Sequence, residues 1–271
     1  MNLYFRLETP ADYRAVEELT REAFWAFWEP NRKICDEHLL VHRLRLAPSF
    51  VPELDFVAET DGKIVGHIIF TKSKIIDEAG TEHETLTFGP LSVLPEYQNR
   101  GIGKALMRHS FIRATELGFR AVIIFGHPDY YPRAGFRRAA EFGITTQDGK
   151  NYDPFMAYPL YEGALNGIRG RYFIDPVHEQ LTQEDALEFD RRFQPKKPFI
   201  PTPISVLLDH LEPEAREAME GIICPSLEMM TSKSEREISS LPGMDRQSVE
   251  VIRSVLHEHG IIWGEGKSRH E

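Results

Sequence analysis

Residues 91–106 constrain the fold of this chain more than any other stretch of it. They read as a strand, a turn at Pro95, and a helix that begins at about Ile102. Gly101 and Gly103 stand where the helix starts, and glycine lets a backbone approach a ligand closely. The amides of a first helical turn have no partner inside the helix, and the helix dipole adds to their attraction for anions. The stretch therefore predicts a cradle for a phosphate or pyrophosphate, although a Gly-x-Gly at a helix start also occurs in plain tight turns.

Strand and helix signals alternate on both sides of this cradle. Alternating apolar and β-branched residues predict strands, and apolar residues at helical spacing predict helices. The dipeptide Asp61-Gly62 is typical of a tight hairpin between two strands. The predicted elements, in chain order, are strand 2–8, helices 11–25 and 36–46, strands 54–59, 64–73 and 85–94, helix 102–117 and strand 121–125. This order predicts an α/β (α+β) domain with a mixed, mostly antiparallel sheet flanked by helices.

A proline-rich stretch divides the chain. Four prolines stand between Gln194 and Pro203, and proline resists both helix and central strand. The signal after this stretch is purely helical. We therefore predict a domain of residues 1–170, an extension and linker of residues 171–203, and a small all-α module of residues 204–271.

Composition excludes several classes of protein. Hydrophobic residues make up 41% and charged residues 27% of the chain, which is typical of a globular protein and not of a disordered one. No apolar run approaches the roughly 18 residues of a membrane-spanning helix, and the first residues lack the pattern of a signal peptide, so we expect a cytoplasmic protein. Cys35 and Cys224 have no metal-binding spacing and are expected to be reduced. The net charge of −10 argues against a broad phosphate-binding face and mildly favours cationic ligands.

Two motifs together resemble a known family. Gln98-x-x-Gly101-x-Gly103 after Val93-x-Pro95 resembles the coenzyme A loop of the Gcn5-related N-acetyltransferase (GNAT) superfamily. Residues 125–136, Phe-Gly-His-Pro-Asp-Tyr-Tyr-Pro-Arg-Ala-Gly-Phe, are similar to the strand, short helix and Tyr-x-x-x-Gly-Phe ending of that family. The order and separation of the two motifs also match, and the resemblance covers about residues 3–160. The Tyr-Tyr-x-x-x-Gly-Phe form is similar to the YhbS-like branch of predicted acetyltransferases.

The resemblance implies a fold, a co-substrate and a reaction. It implies the GNAT fold, acetyl-CoA without a metal, and transfer of the acetyl group to a primary amine of a small molecule or peptide. Backbone groups of Leu91 and Val93 would bond the pantetheine arm, and an amide near Leu91 or Ser92 would stabilise the oxyanion. The residues expected to bind the coenzyme are Leu91, Ser92, Val93, Gln98, Asn99, Arg100, Gly101, Ile102, Gly103, Lys104 and Ala105.

The catalytic acid and base are less clearly marked. Tyr131, four residues before Gly135, resembles the family's general acid, although it could instead only pack beneath the coenzyme. Glu82 and Glu84 precede the central strand, where the family often carries a carboxylate that works through water as the base. Surface carboxylates are common, so both glutamates could equally face solvent.

Substrate-binding candidates lie in an aromatic run and after a strand. Trp25 and Trp28 belong to a run that mostly fills the core, and one of them could offer a cation-π surface to an amine. His127 follows the last strand and could touch substrate or shape the turn. His38 and His42 lie four apart on a predicted helix, but no third ligand is evident, so we predict no metal site.

The C-terminal module resembles a helix-hairpin-helix unit. Its pattern is similar to the C-terminal domain of the bacterial RNA polymerase α subunit, which holds DNA phosphates. Here residues 204–271 contain 7 basic and 13 acidic residues, and Asp245 stands where the hairpin usually has glycine. Both departures argue against nucleic acid, with Arg246 and Arg253 as the remaining candidate basic cluster. We expect this module to bind a protein partner or a second copy of the chain.

A second class of function is compatible with the same motifs. The chain could be a non-catalytic acyl-CoA sensor or scaffold that binds the coenzyme and acts through its C-terminal module. An acceptor pocket blocked by the aromatic residues 24–28 would favour the sensor. A catalytic acid and base beside the coenzyme would favour the enzyme.

Overall fold

The computed structural model describes residues 2–25, 34–127, 130–196 and 201–261, the last range without residues 223, 225 and 234. The chain divides into two compact units, residues 1–197 and 198–271. None of the helices among these described residues is long and apolar enough to cross a membrane.

The described residues of the first unit form one mixed sheet of nine strands. In chain order the strands are β1 (Tyr4–Leu7), β2 (Phe56–Thr60), β3 (Lys63–Ile76), β4 (Glu82–Val93), β5 (Ala121–Phe125), β6 (Arg137–Arg138), β7 (Ile144–Thr145), β8 (Phe155–Pro159) and β9 (Gly170–Phe173). Their order across the sheet is β1-β2-β3-β4-β5-β8-β6, and β9 pairs with both β3 and β7. Neighbours are antiparallel except β4 with β5 and β7 with β9.

The α-helices of the first unit are α1 (Tyr13–Phe24), α2 (Glu37–Leu44), α3 (Ile102–Glu116) and α4 (Gln183–Asp190). The predicted elements agree with the observed ones to within three residues at each end. Asp61 and Gly62 both have positive φ, 51° and 75°, and join β2 to antiparallel β3, which confirms the predicted hairpin. The fold class is therefore as predicted, an α/β sheet flanked by helices.

The helices cover both faces of the sheet. A Cβ atom at Gly66 in β3 would meet Leu106 and Ile102 at 3.1 and 3.2 Å, so α3 packs on that face. Because side chains alternate along a strand, Ile69 points to the opposite face, where it packs with Val16 of α1 and with residues of α2. Each face of the central strands is consequently buried, and the polar groups on it need partners.

Residues 171–196 belong to the first unit and not to a separate extension. Strand β9 pairs Tyr172 with Ile75 of β3, and Tyr172 is buried in a cluster beneath the sheet. Helix α4 buries Phe189 against Leu39 of α2. The sequence prediction missed these contacts because β9 is short and its partner strand lies about a hundred residues earlier.

The second unit is all-α among its described residues. Its helices are α5 (Ser205–Leu208), α6 (Pro213–Glu220), α7 (Glu235–Ser239) and α8 (Arg246–Glu258), around a core that includes Leu207, Met219, Ile252 and Leu256. Asp245 accepts a hydrogen bond from the Ser248 amide at 2.7 Å and so caps α8. The resemblance to a helix-hairpin-helix unit stays a prediction.

Candidate active site

Strands β4 and β5 separate at the centre of the sheet. Among the described residues they pair at one position, Leu86 with Val122, although β4 runs on to Val93 and β5 to Phe125. The Leu94 amide donates to the Val65 carbonyl of β3 at 3.0 Å. Because backbone groups alternate along a strand, those of Leu91 and Val93 face away from β3 and into the gap. An extended ligand can therefore bond β4 as a further strand would.

The turn after β4 leads directly into the N-terminus of α3. Asn99 and Gly101 adopt positive φ, 59° and 80°, which turns the backbone before the helix. The Ala105 amide donates to the Gly101 carbonyl at 3.0 Å, and no side chain among the described residues caps the helix. The amides of residues 102–104 therefore precede the helical ladder and have no partner within the helix, which is the geometry that the predicted anion cradle requires.

The other predicted coenzyme residues support this cradle in different ways. The Gln98 side-chain amide donates to the Val93 carbonyl at 3.0 Å and so ties the turn to β4. The Arg100 guanidinium lies 5.3 Å from the centre of the Tyr97 ring. Lys104 is exposed at the first turn of α3, and with Arg108 it lines a groove of about 440 Å³ along the helix. These cations add positive charge next to the cradle.

Ser92 differs from its two neighbours on β4. It pairs with His67 of β3, so its backbone faces β3 and not the gap. Its buried hydroxyl donates to the Thr20 hydroxyl of α1 at 3.0 Å. Of the two amides considered for the oxyanion, that of Leu91 is the one that faces the gap.

Two adjacent tyrosines close the gap on the β5 side. The Tyr131 ring contacts Phe88 of β4 at 5.9 Å between ring centres, and a Cβ atom at Gly126 would clash with it. Burial raises the pKa of Tyr131 well above its usual range and raises the pKa of Tyr130 as well, so both phenols stay protonated. The structure thus places Tyr131 between the separating strands.

Sequence reasoning missed the position of Tyr130. A Cβ atom at Gly103 would lie 3.2 Å from the Tyr130 hydroxyl and 3.5 Å from a methyl carbon of Leu91. The hydroxyl of Tyr130 therefore reaches the first turn of α3, where the bare backbone of Gly103 makes room for it. The doubled tyrosine before Gly135 was the available signal, but the motif assigns a function to Tyr131 alone. Gly126, whose missing side chain admits the Tyr131 ring, gave no separate signal.

The two glutamates proposed as the base do not reach the gap. Glu82 pairs with Lys74 at 2.5 Å and Glu84 with Lys72 at 3.0 Å, and each carboxylate is more than half exposed. Glu84 precedes Leu91 by seven residues, which is roughly 20 Å along a strand. Both side chains behave as solvated partners of lysines on β3.

The substrate candidates also have contacts inside the chain. The Trp25 ring lies 4.5 Å from the Arg21 guanidinium and 5.0 Å from the Lys196 ammonium, so two cations of the chain itself already contact it. Trp28 lies outside the described residues. The His127 carbonyl accepts hydrogen bonds from the Tyr130 and Tyr131 amides, and its backbone thereby shapes the turn that carries both tyrosines.

One cluster has the spacing of metal ligands. Ligand atoms of Glu8, Asp55 and His67 all lie within 4.8 Å of one another. The Arg45 guanidinium, however, already donates to both oxygens of Glu8, at 2.6 and 2.9 Å. His38 and His42, weighed as ligands from the sequence, contact different carboxylates: His38 lies 3.3 Å from Asp190 and His42 lies 2.9 Å from Glu17.

The sequence is similar to that of bacterial acetyltransferases. The model of the acetyltransferase (GNAT) family matches residues 17–136. The uncharacterized N-acetyltransferase YhbS of Escherichia coli K12 is 28% identical over 169 residues, which cover 62% of this chain and 93% of that protein. The uncharacterized N-acetyltransferase YjhQ of the same organism is 32% identical over 136 residues, covering 50% of this chain and 70% of that protein.

Two crystal structures with bound coenzyme are similar to this one. The structure of YhbS from Escherichia coli in complex with CoA has a TM-score of 0.58 and 25% identity, and the match covers 67% of this chain and 94% of that one. The structure of a GNAT family acetyltransferase from Brucella melitensis in complex with acetyl-CoA has a TM-score of 0.51 and 27% identity, covering 65% and 98%.

Proposed function

The chain belongs to the acetyltransferase (GNAT) family, and from that membership we propose that it transfers the acetyl group of acetyl-CoA to a primary amine of a small molecule or peptide. The observation that carries this proposal is the gap between β4 and β5 beside the uncapped N-terminus of α3. The CoA and acetyl-CoA bound to the two similar structures support the choice of coenzyme.

The site offers a separate position for each part of acetyl-CoA. Backbone groups of Leu91 and Val93 would bond the pantetheine arm along the gap, and the amides of residues 100–105 would bind the pyrophosphate. Lys104 and Arg108 would neutralise phosphate charge along the groove beside α3. The Leu91 amide would donate to the carbonyl oxygen as it becomes an oxyanion.

Acetyl transfer takes two protons from the acceptor nitrogen and gives one to the leaving sulfur. The acceptor ammonium loses one proton before its nitrogen attacks the thioester carbon, and the attacking nitrogen gives up its second proton, which restores the acid, as the C–S bond breaks. Tyr131 is protonated and lies between the separating strands, so we assign to it the proton that the departing thiolate takes. Positioning the amine against the thioester supplies most of the remaining rate enhancement.

Replacing Gly103 tests the cradle. Valine at this position would push its side chain into the Tyr130 hydroxyl and Leu91, at the mouth of the gap. We expect micromolar acetyl-CoA affinity in the parent and no measurable binding in Gly103→Val by calorimetric titration. Gly221→Val is the matched control, because Gly221 has an ordinary φ of −69° and lies in the second unit. Parent-like affinity of Gly103→Val, with an unchanged circular dichroism spectrum, would contradict the cradle.

A screen for the acceptor separates the enzyme from the sensor. CoA release from acetyl-CoA is measured against amines, amino acids, aminoglycosides and peptides. Release that depends on one class of amine identifies the acceptor. Tight acetyl-CoA binding without release against any of them would favour the non-catalytic sensor.

A further inference from the structure

The side chain of Tyr172 reaches the place where β4 and β5 begin to separate. Its buried ring lies beneath the sheet, on the face opposite α3, and its centre is 5.5 Å from that of Phe155 in β8. Its hydroxyl donates to the Ile123 carbonyl of β5 at 3.3 Å. A side chain of β9, which follows the residues 17–136 that the family model matches, therefore bonds the backbone of a strand that bounds the gap.

The carbonyl of Ile123 points from β5 towards β4. On the other side of β5, the Arg120 carbonyl accepts from the Leu160 amide at 2.9 Å. The Gly126 amide likewise donates to the Pro154 carbonyl at 2.9 Å. Backbone groups alternate in direction along a strand, so the even-numbered residues of β5 face β8 and Ile123 faces β4. The acceptor of the phenol is therefore on the side of β5 that borders the gap.

Ile123 is also the first residue of β5 beyond the point where the two strands pair. Among the described residues, β4 and β5 pair only at Leu86 and Val122. One further step of a parallel ladder would give the Ile123 carbonyl the Phe88 amide as its donor. In this structure the donor is the Tyr172 hydroxyl. The phenol thus occupies the acceptor that the next step of the ladder would use.

Buried hydroxyls on the same face hold the phenol in place. Burial raises the pKa of Tyr172 to about 12, although hydrogen bonds with the Ser73 and Thr87 hydroxyls lower it, so the phenol is protonated at neutral pH. Ser73 in turn bonds the Thr85 hydroxyl across β3 and β4 at 2.9 Å. All three hydroxyl-bearing residues are buried. The Tyr172 hydroxyl is consequently bonded to β3, β4 and β5 at once.

We propose that Tyr172 is a positioning residue that ends the ladder of β4 and β5 at Leu86 and so keeps the gap open for acetyl-CoA. The inference rests on the proposed function, because it assumes that the coenzyme binds in this gap. Without the hydroxyl, the Ile123 carbonyl would be a buried acceptor without its donor, which costs free energy. Phe88 lies two residues beyond Leu86 and faces the same way, so its amide would become the donor.

That added bond would close the gap from its inner end. Residues 124 and 125 of β5 would move towards β4, beside the backbone groups of Leu91 that we expect to bond the coenzyme. Acetyl-CoA would then have to break the added bond before it could bind. A closed state that excludes a ligand lowers the apparent affinity in proportion to the molecules that occupy it.

Nuclear magnetic resonance tests the ladder without coenzyme or acceptor. Tyr172→Phe keeps the ring and its packing and removes only the hydroxyl. In deuterated protein labelled with 15N and 13C, we expect a through-hydrogen-bond coupling between the Phe88 nitrogen and the Ile123 carbonyl carbon in this variant and not in the parent. The register gives a bond from the Ile123 amide to the Leu86 carbonyl in both proteins, and its coupling is the internal reference.

Calorimetry measures the consequence for the coenzyme. We expect Tyr172→Phe to bind acetyl-CoA about tenfold more weakly than the parent, which is the equivalent of one hydrogen bond. Thr85→Val is the matched control, because it removes another buried hydroxyl of the same face, one that bonds Ser73 and not β5. Its affinity should equal that of the parent, and it should show no coupling between Phe88 and Ile123.

The outcomes separate this inference from the proposed function. Parent-like affinity of Tyr172→Phe without the new coupling would show that Tyr172 only packs in the core. A coupling between Phe88 and Ile123 already present in the parent would equally overturn the inference, and that measurement needs no variant to fold. A parent that binds no acetyl-CoA would contradict the proposed function, and the coupling alone would then decide whether Tyr172 ends the ladder.

Discussion

Tyr130 and Tyr131 are adjacent in sequence but contact different parts of the site. Tyr131 packs against Phe88 and the bare backbone of Gly126, whereas the Tyr130 hydroxyl reaches Gly103 in the first turn of α3. The rings meet edge to face at 5.0 Å, so each helps to hold the other. Single removal of each hydroxyl should therefore separate the proton supply proposed for Tyr131 from the coenzyme contact that we expect of Tyr130.

Tyr131→Phe should lower kcat about 10²-fold with little change in acetyl-CoA affinity, because a general acid acts mainly in the transition state. The ring and its packing remain. Steady-state kinetics across pH, with calorimetry for the coenzyme, measure both quantities. Tyr130→Phe is the matched variant, and we expect it to lower the affinity for acetyl-CoA more than it lowers kcat. Equal turnover of Tyr131→Phe and the parent at every pH would show that Tyr131 only packs in the core and supplies no proton.

His178 should make stability depend on pH. Its Nε2 lies 2.9 Å from the Thr71 hydroxyl, and burial lowers its pKa to about 4, against about 6.5 in an unfolded chain. The unfolded state therefore binds more protons between pH 4 and pH 6.5. The stability that neutral His178 contributes is consequently fully present above pH 6.5 and is lost as pH falls towards 4. His178→Gln removes the titration. The difference in unfolding free energy between parent and variant should shrink by about 2 kcal/mol from pH 7.5 to pH 5.

Urea unfolding of both proteins at the two pH values measures this difference. Equal m values in parent and variant are the control, because they show that the same surface is exposed on unfolding. A difference that stays constant with pH would refute the assignment to His178.

At the scale of elements, the N-termini of two helices have different tasks in this fold. No side chain of the described residues caps the N-terminus of α3, and its first amides have no partner within the helix. The N-terminus of α4 is closed by Thr182, whose hydroxyl accepts from the Asp185 amide at 3.1 Å. Asp190, the last residue of α4, accepts two hydrogen bonds from the Arg21 guanidinium of α1, at 2.5 and 2.9 Å. The capped helix is structural, and the uncapped one borders the proposed coenzyme site.

Thr182→Ala should destabilise the first unit by about 1 kcal/mol, because an orphan amide of α4 loses its acceptor. Thr182→Ser keeps the hydroxyl and serves as the control. Urea midpoints of the three proteins measure the effect, and an unchanged midpoint in Thr182→Ala would show that α4 needs no cap. Acetyl-CoA affinity should be the same in all three.

At the scale of the whole molecule, the second unit adds an acidic helical module to an acetyltransferase. Residues 204–271 contain 7 basic and 13 acidic residues. The two arginines considered as a basic cluster are both paired, Arg253 with Glu235 at 2.6 Å and Arg246 with Glu250 at 3.3 Å. DNA binding draws most of its non-specific affinity from released counterions, which an acidic surface does not supply. We propose that this unit contacts protein, either a partner or a second copy of the chain.

The full chain should not bind duplex DNA tightly at about 150 mM salt, because the net negative charge of the second unit would repel the DNA phosphates. A fluorescence anisotropy titration with labelled duplex measures the affinity. We expect a dissociation constant no tighter than the non-specific range of roughly 10⁻⁴ to 10⁻⁶ M. Nanomolar binding would overturn the assignment. Light scattering on the same sample gives the oligomeric mass that a self-contact requires.

The sequence by itself determined the features that depend on a few consecutive residues. The hairpin at Asp61-Gly62 and the turn into α3 follow from local backbone geometry, because positive φ and open amides are properties of the turn and of the first helical residues. The glycine turn at the start of α3 could therefore be located from consecutive residues alone, and the motifs around Gly103 and Tyr131 were enough to identify the family.

The tertiary structure decided the features that depend on the register of paired strands and on the distance between residues far apart in sequence. Glu84 was a candidate for the base, and only the pairing of β4 with β3 shows that its carboxylate lies beside Lys72 and faces solvent. The same pairing puts His67 opposite Ser92, and Asp55, twelve residues away, meets His67 only because β2 and β3 fold back on each other. A buried pair such as Asp55 and His67 carries no local sequence signal, because the two side chains are desolvated and brought together only once the sheet has formed.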